Sequence, residues 1–520
     1  MSGPKTNALP TGWARATLGD VCDPPQYGWT TSATDEFNAI KLLRSTDISH
    51  GTVNWETVPF CETPPPVIEK YQLYPGDIVI TRTGAGVGNS LLLDDCPPSV
   101  FASYLIRFRP HAALSTKYVA YFLKGPSYRT LISQNAAGIA QPNVNAAKLA
   151  SLALPVPPRK TQDAIVAEIE KQFTRLDAAV AALERTKANL SRYRATVLKS
   201  ACEGRLVPSE AELAKRDVRS YESASVLLGR IFDERRVSWE GAQVNKSRTA
   251  GRVPHGDRLT FKYATPAVPK TESLNPLPEG WGWATTDQLT RGDRPSAYGV
   301  LQPGDDIEDG VPFVRVGDIG NGRIRVAGLK RISAEIASNY PRTLLRGGEV
   351  LITLVGAIGR TAVAPPSLAG ANTARAVGVI PVSPILNAHW IEIWFRNPDK
   401  IQEMTAKAHE VARKTLNLED VRSATIAIPP LCEQVRIVEE VERRMSVVDE
   451  VELQIELNLK RAERLRQAVL RCAFEGKLVP QDPSDEPASA LLERIHEARE
   501  AAPKPSLGRG RWKKEAQHVS

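Results

Sequence analysis

The sequence has little cysteine and no long apolar run. Its six cysteines, among 520 residues, are scattered without a C-x-x-C pair, which argues against a disulfide framework or a zinc site and indicates a reduced, cytoplasmic setting. The seven histidines also lack metal-ligand spacing. No run of about 18 apolar residues occurs, and residues 1–13 do not resemble a signal peptide, so we expect neither membrane insertion nor export by that route.

Acidic residues are missing from one long stretch of the chain. None lies between Asp95 and Asp163, whereas eight lysines and arginines do. The whole chain carries a net charge of +8, which favours a polyanionic partner. This stretch is therefore the part of the chain that would repel an acidic partner least.

The chain repeats itself at a long period. The repeated segments are Leu9–Trp13 with Leu277–Trp281, Leu43–Ile48 with Val314–Ile319, Gly76–Thr81 with Gly348–Thr353, Pro157–Gln162 with Pro429–Gln434, and Glu203–Pro208 with Glu475–Pro480. The spacing between partners is nearly constant, and the order of the motifs is the same in both copies. The sequence therefore predicts a duplicated protein.

Each copy is predicted to be a mixed α/β globule followed by a long helix. Short β-type runs separated by glycine and proline clusters indicate the globules, and a proline pair precedes each helix. The predicted segments are a first globule at 11–156, a spacer helix at 157–208, a short helix and basic linker at 209–276, a second globule at 277–428, a second spacer helix at 429–480, and a C-terminal tail at 481–520.

The two helices carry the apolar seam of a coiled coil. The seam positions are Ile165, Ile169, Phe173, Leu176, Val180, Leu183, Leu190 and Val197 in the first copy, and Ile437, Val441, Met445, Val448, Ile455, Leu459, Ala462 and Val469 in the second. Polar residues interrupt the seam at Lys187, Arg194, Glu452 and Arg466. Such a seam needs a partner helix, and we expect the two copies to pack against each other as an antiparallel spacer.

The segment between the copies is basic. Residues 229–270 contain nine basic and four acidic residues with little apolar periodicity. We predict a short helix at about 222–236 followed by a flexible linker. The tail from Pro503 to Lys514 is rich in positive charge and is predicted to be mobile.

Three fragments resemble enzyme motifs, but none is complete. The glycine cluster at Gly84–Gly88 lacks the Gly-Lys-Ser/Thr of a phosphate loop and predicts a tight turn with positive φ angles instead. Asp23–Tyr27 differs from the D-P-P-Y motif of amino-methyltransferases by the insertion of Gln26 and has no room for a cofactor motif upstream. Asn397–Lys400 lacks the further residues of a nuclease. We therefore expect no catalytic centre.

The duplicated set of motifs strongly resembles the specificity subunit of type I restriction enzymes. The set comprises L-P-x-G-W, R-x-x-D-I, G-D-I-V-I-T-R-x-G, a P-P-x-x-x-Q turn before a long helix, and E-G-x-L-V-P. The resemblance implies two target-recognition domains, each for half of an interrupted double-stranded DNA sequence, and helices that set the gap. It also implies docking of two methyltransferase subunits, with restriction/translocase subunits beside them.

The same resemblance implies no cofactor on this chain. S-adenosylmethionine, and ATP with Mg, would be used by the partner subunits. The sequence departs from the family pattern where Thr161 replaces the more usual glutamate, present as Glu433 in the second copy, and in the long segment at 209–276.

DNA-contacting residues are predicted from their charge or amide chemistry and their position in loops near the motifs. Basic side chains suit phosphates, and arginine, asparagine and glutamine suit base edges in the major groove. The predicted residues are Arg82, Arg107, Asn135 and Gln141 in copy one, and Arg360, Arg375, Arg413 and Lys414 in copy two.

Two other functions stay open at this point. The first is a scaffold protein of two globules that does not bind DNA, against which the acid-free basic stretch argues mildly. The second is a stand-alone DNA methyltransferase, against which the missing cofactor motif argues more strongly.

Overall fold

The computed structural model describes residues 9–49, 51–84, 86–136, 143–249, 262–272, 274–410 and 414–501. The chain divides into two compact units. Unit 1 comprises residues 1–184 and 456–520, and unit 2 comprises residues 185–455. Both units mix strands and helices, so the predicted duplicated α/β fold is confirmed.

In the part of unit 1 that the structure describes, ten short strands form three sheets. They are β1 (Ala14–Thr17), β2 (Gln26–Tyr27), β3 (Ala33–Thr34), β4 (Lys41–Leu43), β5 (Phe60–Cys61), β6 (Ile78–Thr81), β7 (Ser90–Leu92), β8 (Ser99–Phe101), β9 (Leu105–Phe108) and β10 (Ala153–Val156). The sheet orders are β2-β9-β6-β7, β3-β5-β4-β8 and β1-β10. All pairs are antiparallel except β4 with β8. Every residue of β6 is buried, as its apolar sequence requires of a central strand.

Short helices accompany these strands. They are α1 (Leu18–Val21), α2 (Ile68–Tyr71), α3 (Thr116–Phe122), α4 (Pro126–Ala136) and α5 (Ala146–Ala150). Side chains of α3 and α5 pack with β6 and β9 in one apolar cluster that includes Phe108, Tyr118 and Leu149. This cluster is the larger core of unit 1 and fixes the sheet against the helices.

Two helices of 44 residues each follow the globular segments. They are α6 (Arg159–Cys202) and α13 (Leu431–Phe474), each about 66 Å long at 1.5 Å per residue. Arg194 pairs with Asp449 in unit 2, and Asp177 pairs with Arg466 in unit 1. The partners of α6 residues therefore run in the opposite direction along α13: the earlier residue, Asp177, pairs with the later one, Arg466. The two helices are thus antiparallel, as predicted.

The segment after α6 contains more helix than predicted. Helix α7 is Glu210–Arg216 and helix α8 is Ala224–Thr249, so α8 continues well past the predicted end at 236. Tertiary contacts stabilise this extension. The guanidinium of Arg235 donates to the Tyr263 hydroxyl at 2.6 Å, and the Trp239 ring packs edge-on against Tyr263. Residues 250–261 of the predicted linker lie outside the described residues.

Unit 2 repeats the plan of unit 1 with a different second sheet. Its strands are β11 (Gly282–Thr285), β12 (Ala297–Tyr298), β13 (Val311–Val314), β14 (Ile319–Gly320), β15 (Arg323–Ile324), β16 (Lys330–Ile332), β17 (Val350–Thr353), β18 (Thr361–Val363), β19 (Asn372–Thr373), β20 (Val377–Ile380), β21 (His409–Glu410), β22 (Lys414–Thr415) and β23 (Thr425–Ile428). The sheet order β12-β20-β17-β18 matches β2-β9-β6-β7, whereas the second sheet is β16-β13-β19. The remaining pairs are β11-β23, β14-β15 and β21-β22.

Further helices accompany the strands of unit 2, and one helix of unit 1 ends the described chain. They are α9 (Ala334–Ser338), α10 (Ala388–Arg396), α11 (Pro398–Lys407) and α12 (Leu418–Arg422) in unit 2, and α14 (Ala488–Ala501) in unit 1. Helix α14 buries Leu491 and Ile495 in the larger core of unit 1. Residues 481–520 are therefore not only a tail, and the segment predicted to be mobile, Pro503 to Lys514, lies outside the described residues.

The repeated end motifs pack against one another within each unit. In unit 1, a Cβ on Gly476 would lie 2.3 Å from Pro10, and in unit 2 a Cβ on Gly204 would lie 2.7 Å from Pro278. The glycine of E-G-x-L-V-P thus gives the proline of L-P-x-G-W close access to the backbone. Each L-P-x-G-W motif therefore contacts the segment that follows the other copy's long helix.

The departure at Thr161 coincides with a different partner for the motif tryptophan. In unit 2 the Trp281 indole donates to Glu433 at 2.9 Å, and burial raises the pKa of that carboxyl group. In unit 1 the Trp13 indole donates to Gln481 at 2.7 Å instead. Where copy two has Glu433, copy one has the neutral Thr161. The side-chain amide oxygen of Gln481, from the segment after α13, therefore accepts the indole hydrogen bond in its place.

Candidate nucleic-acid interface

A tyrosine followed by a glycine stands at the same place in both units. Tyr27 of β2 pairs with β9, and Tyr298 of β12 pairs with β20. A Cβ on Gly28 would lie 2.1 Å from the Ala102 carbonyl oxygen, and one on Gly299 would meet the Thr373 carbonyl oxygen at the same distance. The glycine is therefore required for the close approach of these backbones, and it fixes the position of the preceding tyrosine.

Each tyrosine hydroxyl is held by the start of a helix. The Ala146 amide of α5 donates to the Tyr27 hydroxyl at 2.9 Å, and the Leu418 amide of α12 donates to the Tyr298 hydroxyl at 2.7 Å. An amide in the first turn of a helix has no partner within the helix, so the tyrosine satisfies it. The two tyrosines are 36% and 44% exposed, which leaves part of each accessible to a ligand.

Arg82 stacks on the tyrosine of unit 1. Its guanidinium carbon lies 5.0 Å from the centre of the Tyr27 ring, and the Val144 amide donates to its carbonyl oxygen at 2.9 Å. Among the described residues, its Nε has no hydrogen-bond partner although it is buried, and the same holds for Asn143 Oδ1 and Thr81 Oγ1. Within the described part of the chain, three buried polar atoms without hydrogen-bond partners thus lie near one end of β6.

The corresponding place in unit 2 is a cleft of about 760 Å³. Its lining includes Tyr298, Leu354, Arg375 and Thr415. Arg375 is exposed, and its backbone amide donates to the Val300 carbonyl oxygen at 2.8 Å, next to the Tyr-Gly pair. An aromatic ring, an apolar wall and a guanidinium therefore share one concave surface.

The glycine clusters form turns rather than phosphate sites. Gly84, Gly88, Gly356 and Gly359 have positive φ angles, as the sequence predicts. The Gly88 amide donates to the Thr81 carbonyl oxygen at 2.9 Å, so the backbone closes on itself. In unit 2 Arg360 follows this turn and is exposed, with its amide bonded to Thr353 Oγ1 at 2.9 Å.

The other predicted contact residues lie in different settings. The Arg107 guanidinium donates to the Gln72 carbonyl oxygen at 2.6 Å, and burial lowers its pKa. Asn135 belongs to the last turn of α4, and Lys414 is exposed in β22. Gln141 and Arg413 lie outside the described residues. The structure thus brings Arg82 and Arg375 to the tyrosines, and places Arg107 inside the domain.

Several arginines of both units are bound to carboxylates. Arg109 makes two bonds with Asp77, at 2.6 and 2.9 Å, and these raise its pKa. In unit 2 the buried Arg294 bonds Glu349 at 2.6 Å. Within the acid-free stretch Lys117 likewise pairs with Glu170 from outside it, at 2.7 Å. Part of the basic charge is therefore structural, which distinguishes these residues from Arg82.

The two tyrosines and several of their neighbours were not among the residues predicted from the sequence. Tyr27 and Tyr298 are spaced as the repeated motifs are, so their Tyr-Gly pairs were a detectable signal. No signal in the sequence pointed to Asn143, Leu354 or Thr415, because only the fold places these residues beside the tyrosines.

The described residues contain no group of three or more histidine, cysteine, aspartate or glutamate side chains that could hold a metal ion. Along the same part of the chain, no helix combines the length and the apolar character needed to cross a membrane.

Comparison with known proteins identifies the class. Residues 10–190 and 291–461 match the family described as the type I restriction modification DNA specificity domain. The chain therefore belongs to this family, and it carries two copies of the domain. The resemblance predicted from the motifs is confirmed.

Relatives of full length support the same assignment. The specificity subunit of the type I restriction enzyme EcoBI from Escherichia coli is 28% identical over 504 residues, covering 94% of this chain and 93% of that protein. The EcoKI specificity subunit from Escherichia coli strain K12 is 24% identical over 529 residues, covering 95% and 97%. This chain is accordingly a non-catalytic DNA-specificity subunit.

One solved structure shows that the fold is shared. A chain solved in work on complex assembly and conformational transition of the type I R-M system is 17% identical, with a TM-score of 0.62. The match covers 91% of this chain and 100% of that one.

Proposed function

We propose that this chain directs a methyltransferase and restriction complex to one interrupted, asymmetric sequence in double-stranded DNA. Unit 1 recognises one half of the sequence and unit 2 the other, and the antiparallel pair of α6 and α13 sets the gap between the halves. The outward faces of these helices bind two methyltransferase subunits, and restriction/translocase subunits join the complex through them.

The observation that carries this proposal is the duplication with divergence. Both units contain the same four-stranded sheet order, but their second sheets and the residues around their tyrosines differ. A common frame with different surfaces suits two related DNA half-sites of unlike sequence. Basic side chains that contact phosphates add affinity that falls with rising salt.

The chemistry is assigned to the partner subunits. S-adenosylmethionine serves the methyltransferase subunits, and ATP with Mg serves the restriction subunits, whereas this chain supplies recognition and position. Binding of S-adenosylmethionine by the isolated chain would contradict this assignment, and equilibrium dialysis measures it directly.

The test is to express the chain with the methyltransferase encoded beside it and to map modified adenines by long-read sequencing. We expect one interrupted motif with two unlike halves, which disappears when this chain is omitted. Replacement of residues 11–156 by the matching segment of a relative should change one half only. Absence of any motif, with the methyltransferase folded and bound, would overturn the proposal.

A further inference from the structure

We propose that Arg82 in unit 1 and Arg375 in unit 2 determine the base preference of the two half-sites, each from beside the repeated tyrosine. This inference rests on the proposed function in DNA recognition. It goes further by assigning specificity to one position in each unit, and by naming the type of base contact made there.

The backbone around the tyrosine is the same in both units and forms a constant frame. In both units the Tyr-Gly pair, the adjoining strand and the first amide of the following helix have the same bonds. Because the frame is the same, a side chain beside Tyr27 and one beside Tyr298 occupy equivalent places. Where the two units have different side chains at these places, only the chemistry of the side chain changes and the backbone around it stays the same.

The side chains next to the tyrosine differ between the two units. In the alignment of the two copies that matches Gly76 with Gly348, the residues near the tyrosine are unlike. Arg82 aligns with Leu354, Asn143 with Thr415, and Ser103 with Arg375. The guanidinium thus comes from the end of β6 in unit 1. In unit 2 it comes from the loop between β19 and β20, and the place of Arg82 is taken by the apolar Leu354.

Arg82 lacks the carboxylate partner that the structural arginines have. No ion pair joins it to any described acidic residue, in contrast to Arg109 and Arg294, and its Nε is buried without a hydrogen bond. Leaving buried polar atoms unsatisfied costs free energy, so a ligand that supplied the missing bonds would stabilise this place. Stacking on Tyr27 orients the planar guanidinium before the ligand arrives.

The guanidinium group also indicates the type of base. A guanidinium offers two parallel donors that match the O6 and N7 acceptors of guanine in the major groove. The unit 1 half-site therefore contains a guanine recognised by Arg82. In unit 2 Arg375 and the apolar Leu354 line the same cleft, which suits a guanine next to a thymine methyl group.

The experiment compares the methylated motifs of single variants in the complex with the methyltransferase. Arg82→Leu installs the residue of the other copy, and Arg375→Ser does the same in the opposite direction. We expect each variant to relax one base position by about 10- to 100-fold, in its own half only, with the other half and the gap unchanged. The half belonging to each unit is known from the exchange of residues 11–156.

Matched controls replace exposed arginines of the same units. Arg129→Leu in unit 1 and Arg342→Ser in unit 2 remove the same charge, and both should keep the wild-type motif. Arg82→Lys keeps the charge but loses the two parallel donors, so it should also relax the motif even if Arg82→Leu fails to fold.

The outcomes separate this inference from the proposed function. An unchanged motif in Arg82→Lys and Arg375→Ser, or a loss of binding that is uniform across all sequences, would overturn the inference and leave the proposed function intact. If the wild-type complex itself methylates no defined motif, the proposed function fails.

Discussion

At the residue scale, the partners of an arginine indicate its role better than its position in the sequence. Arg107 and Arg82 are both basic residues near a repeated motif, and both were predicted to contact DNA. The structure bonds Arg107 to a backbone carbonyl inside the domain, whereas Arg82 stacks on an exposed ring and lacks a carboxylate. The difference depends on the distant residue that the fold places beside each arginine, Gln72 for Arg107 and Tyr27 for Arg82, which no local pattern encodes.

The glycine after each tyrosine should be intolerant of substitution. In Gly299→Ala the new Cβ would lie 2.1 Å from Thr373 O and 2.5 Å from Ala374 O, so the strand must shift. We expect a loss of about 2–3 kcal/mol and a fall of several degrees in the unfolding midpoint measured by calorimetry. Gly317→Ala is the control, because a Cβ there meets no atom within 4 Å. Equal midpoints for the two variants would contradict this account.

Glu210 should make the stability of unit 2 sensitive to acid. Burial alone raises the pKa of Glu210, but hydrogen bonds from Arg436 and Arg219, both at 2.6 Å, lower it overall. A lowered pKa gives stability that is present above the usual carboxyl range and is lost as pH falls through the folded value.

The corresponding variant is Glu210→Gln. At pH 7 we expect it to lower the free energy of unfolding by about 1–3 kcal/mol, with the difference from wild type shrinking towards pH 3. Glu222→Gln, which removes a more exposed partner of Arg230, should have a small effect at every pH. Urea unfolding across this pH range measures both, and a constant difference for Glu210→Gln would refute the linkage.

At the element scale, the interruptions of the helix seam have a physical reason. Arg194 bonds Asp449 and Glu452, and Arg466 pairs with Asp177. Glu452, Arg194 and Arg466 looked like defects in each helix taken alone. Their pairing could not be derived from one helix, because it depends on the antiparallel register, whereas the apolar seam itself was predictable from its spacing.

Arg194 should contribute more to the helix pair than its exposed neighbour. Arg194→Ala leaves Glu452 and Asp449 without this cation, so we expect a loss of about 1–2 kcal/mol that becomes smaller at high salt. Arg192→Ala, in the same turn of α6 but exposed, should change stability by less than about 0.5 kcal/mol. Thermal unfolding at 0.1 and 1 M salt distinguishes the two. A salt-independent loss would assign the effect to packing of the arginine stem.

Helix α8 is longer than the helix that local sequence patterns predict. Beyond residue 236 the sequence has little apolar periodicity, and Gly241 lowers the helix propensity further. Contacts of Arg235 and Trp239 with Tyr263 add the missing stability. Since those contacts join residues that are far apart in the sequence, a prediction from local sequence could not include them.

At the scale of the whole molecule, duplication was the most predictable property. Near-constant spacing between paired motifs indicated two similar units, and the family match at residues 10–190 and 291–461 agrees with it. The second sheets, β3-β5-β4-β8 and β16-β13-β19, were not predictable, since their strands are short and of unlike sequence. The candidate base contacts share this limit, because they lie where the copies diverge.

The division of the chain into its units falls inside both long helices, after residue 184 in α6 and after residue 455 in α13. One helical turn can therefore be added to both helices at these points without changing the register of either half. Four inserted residues lengthen a helix by about 6 Å, which corresponds to roughly one or two base pairs of DNA. If the helix pair sets the gap, the methylated motif should keep both halves and gain that many unspecified positions.

The control for this insertion substitutes four exposed residues at the same points without changing the helix length. It should leave the gap unchanged, as should any variant that alters only the helix surface and still binds the methyltransferase. Because an insertion in α6 alone would put either the Arg194–Asp449 pair or the Arg466–Asp177 pair out of register, that variant should also be less stable than the paired insertion. A paired insertion that folds, binds the methyltransferase and still gives the original gap would show that the spacing is set elsewhere than by the helices.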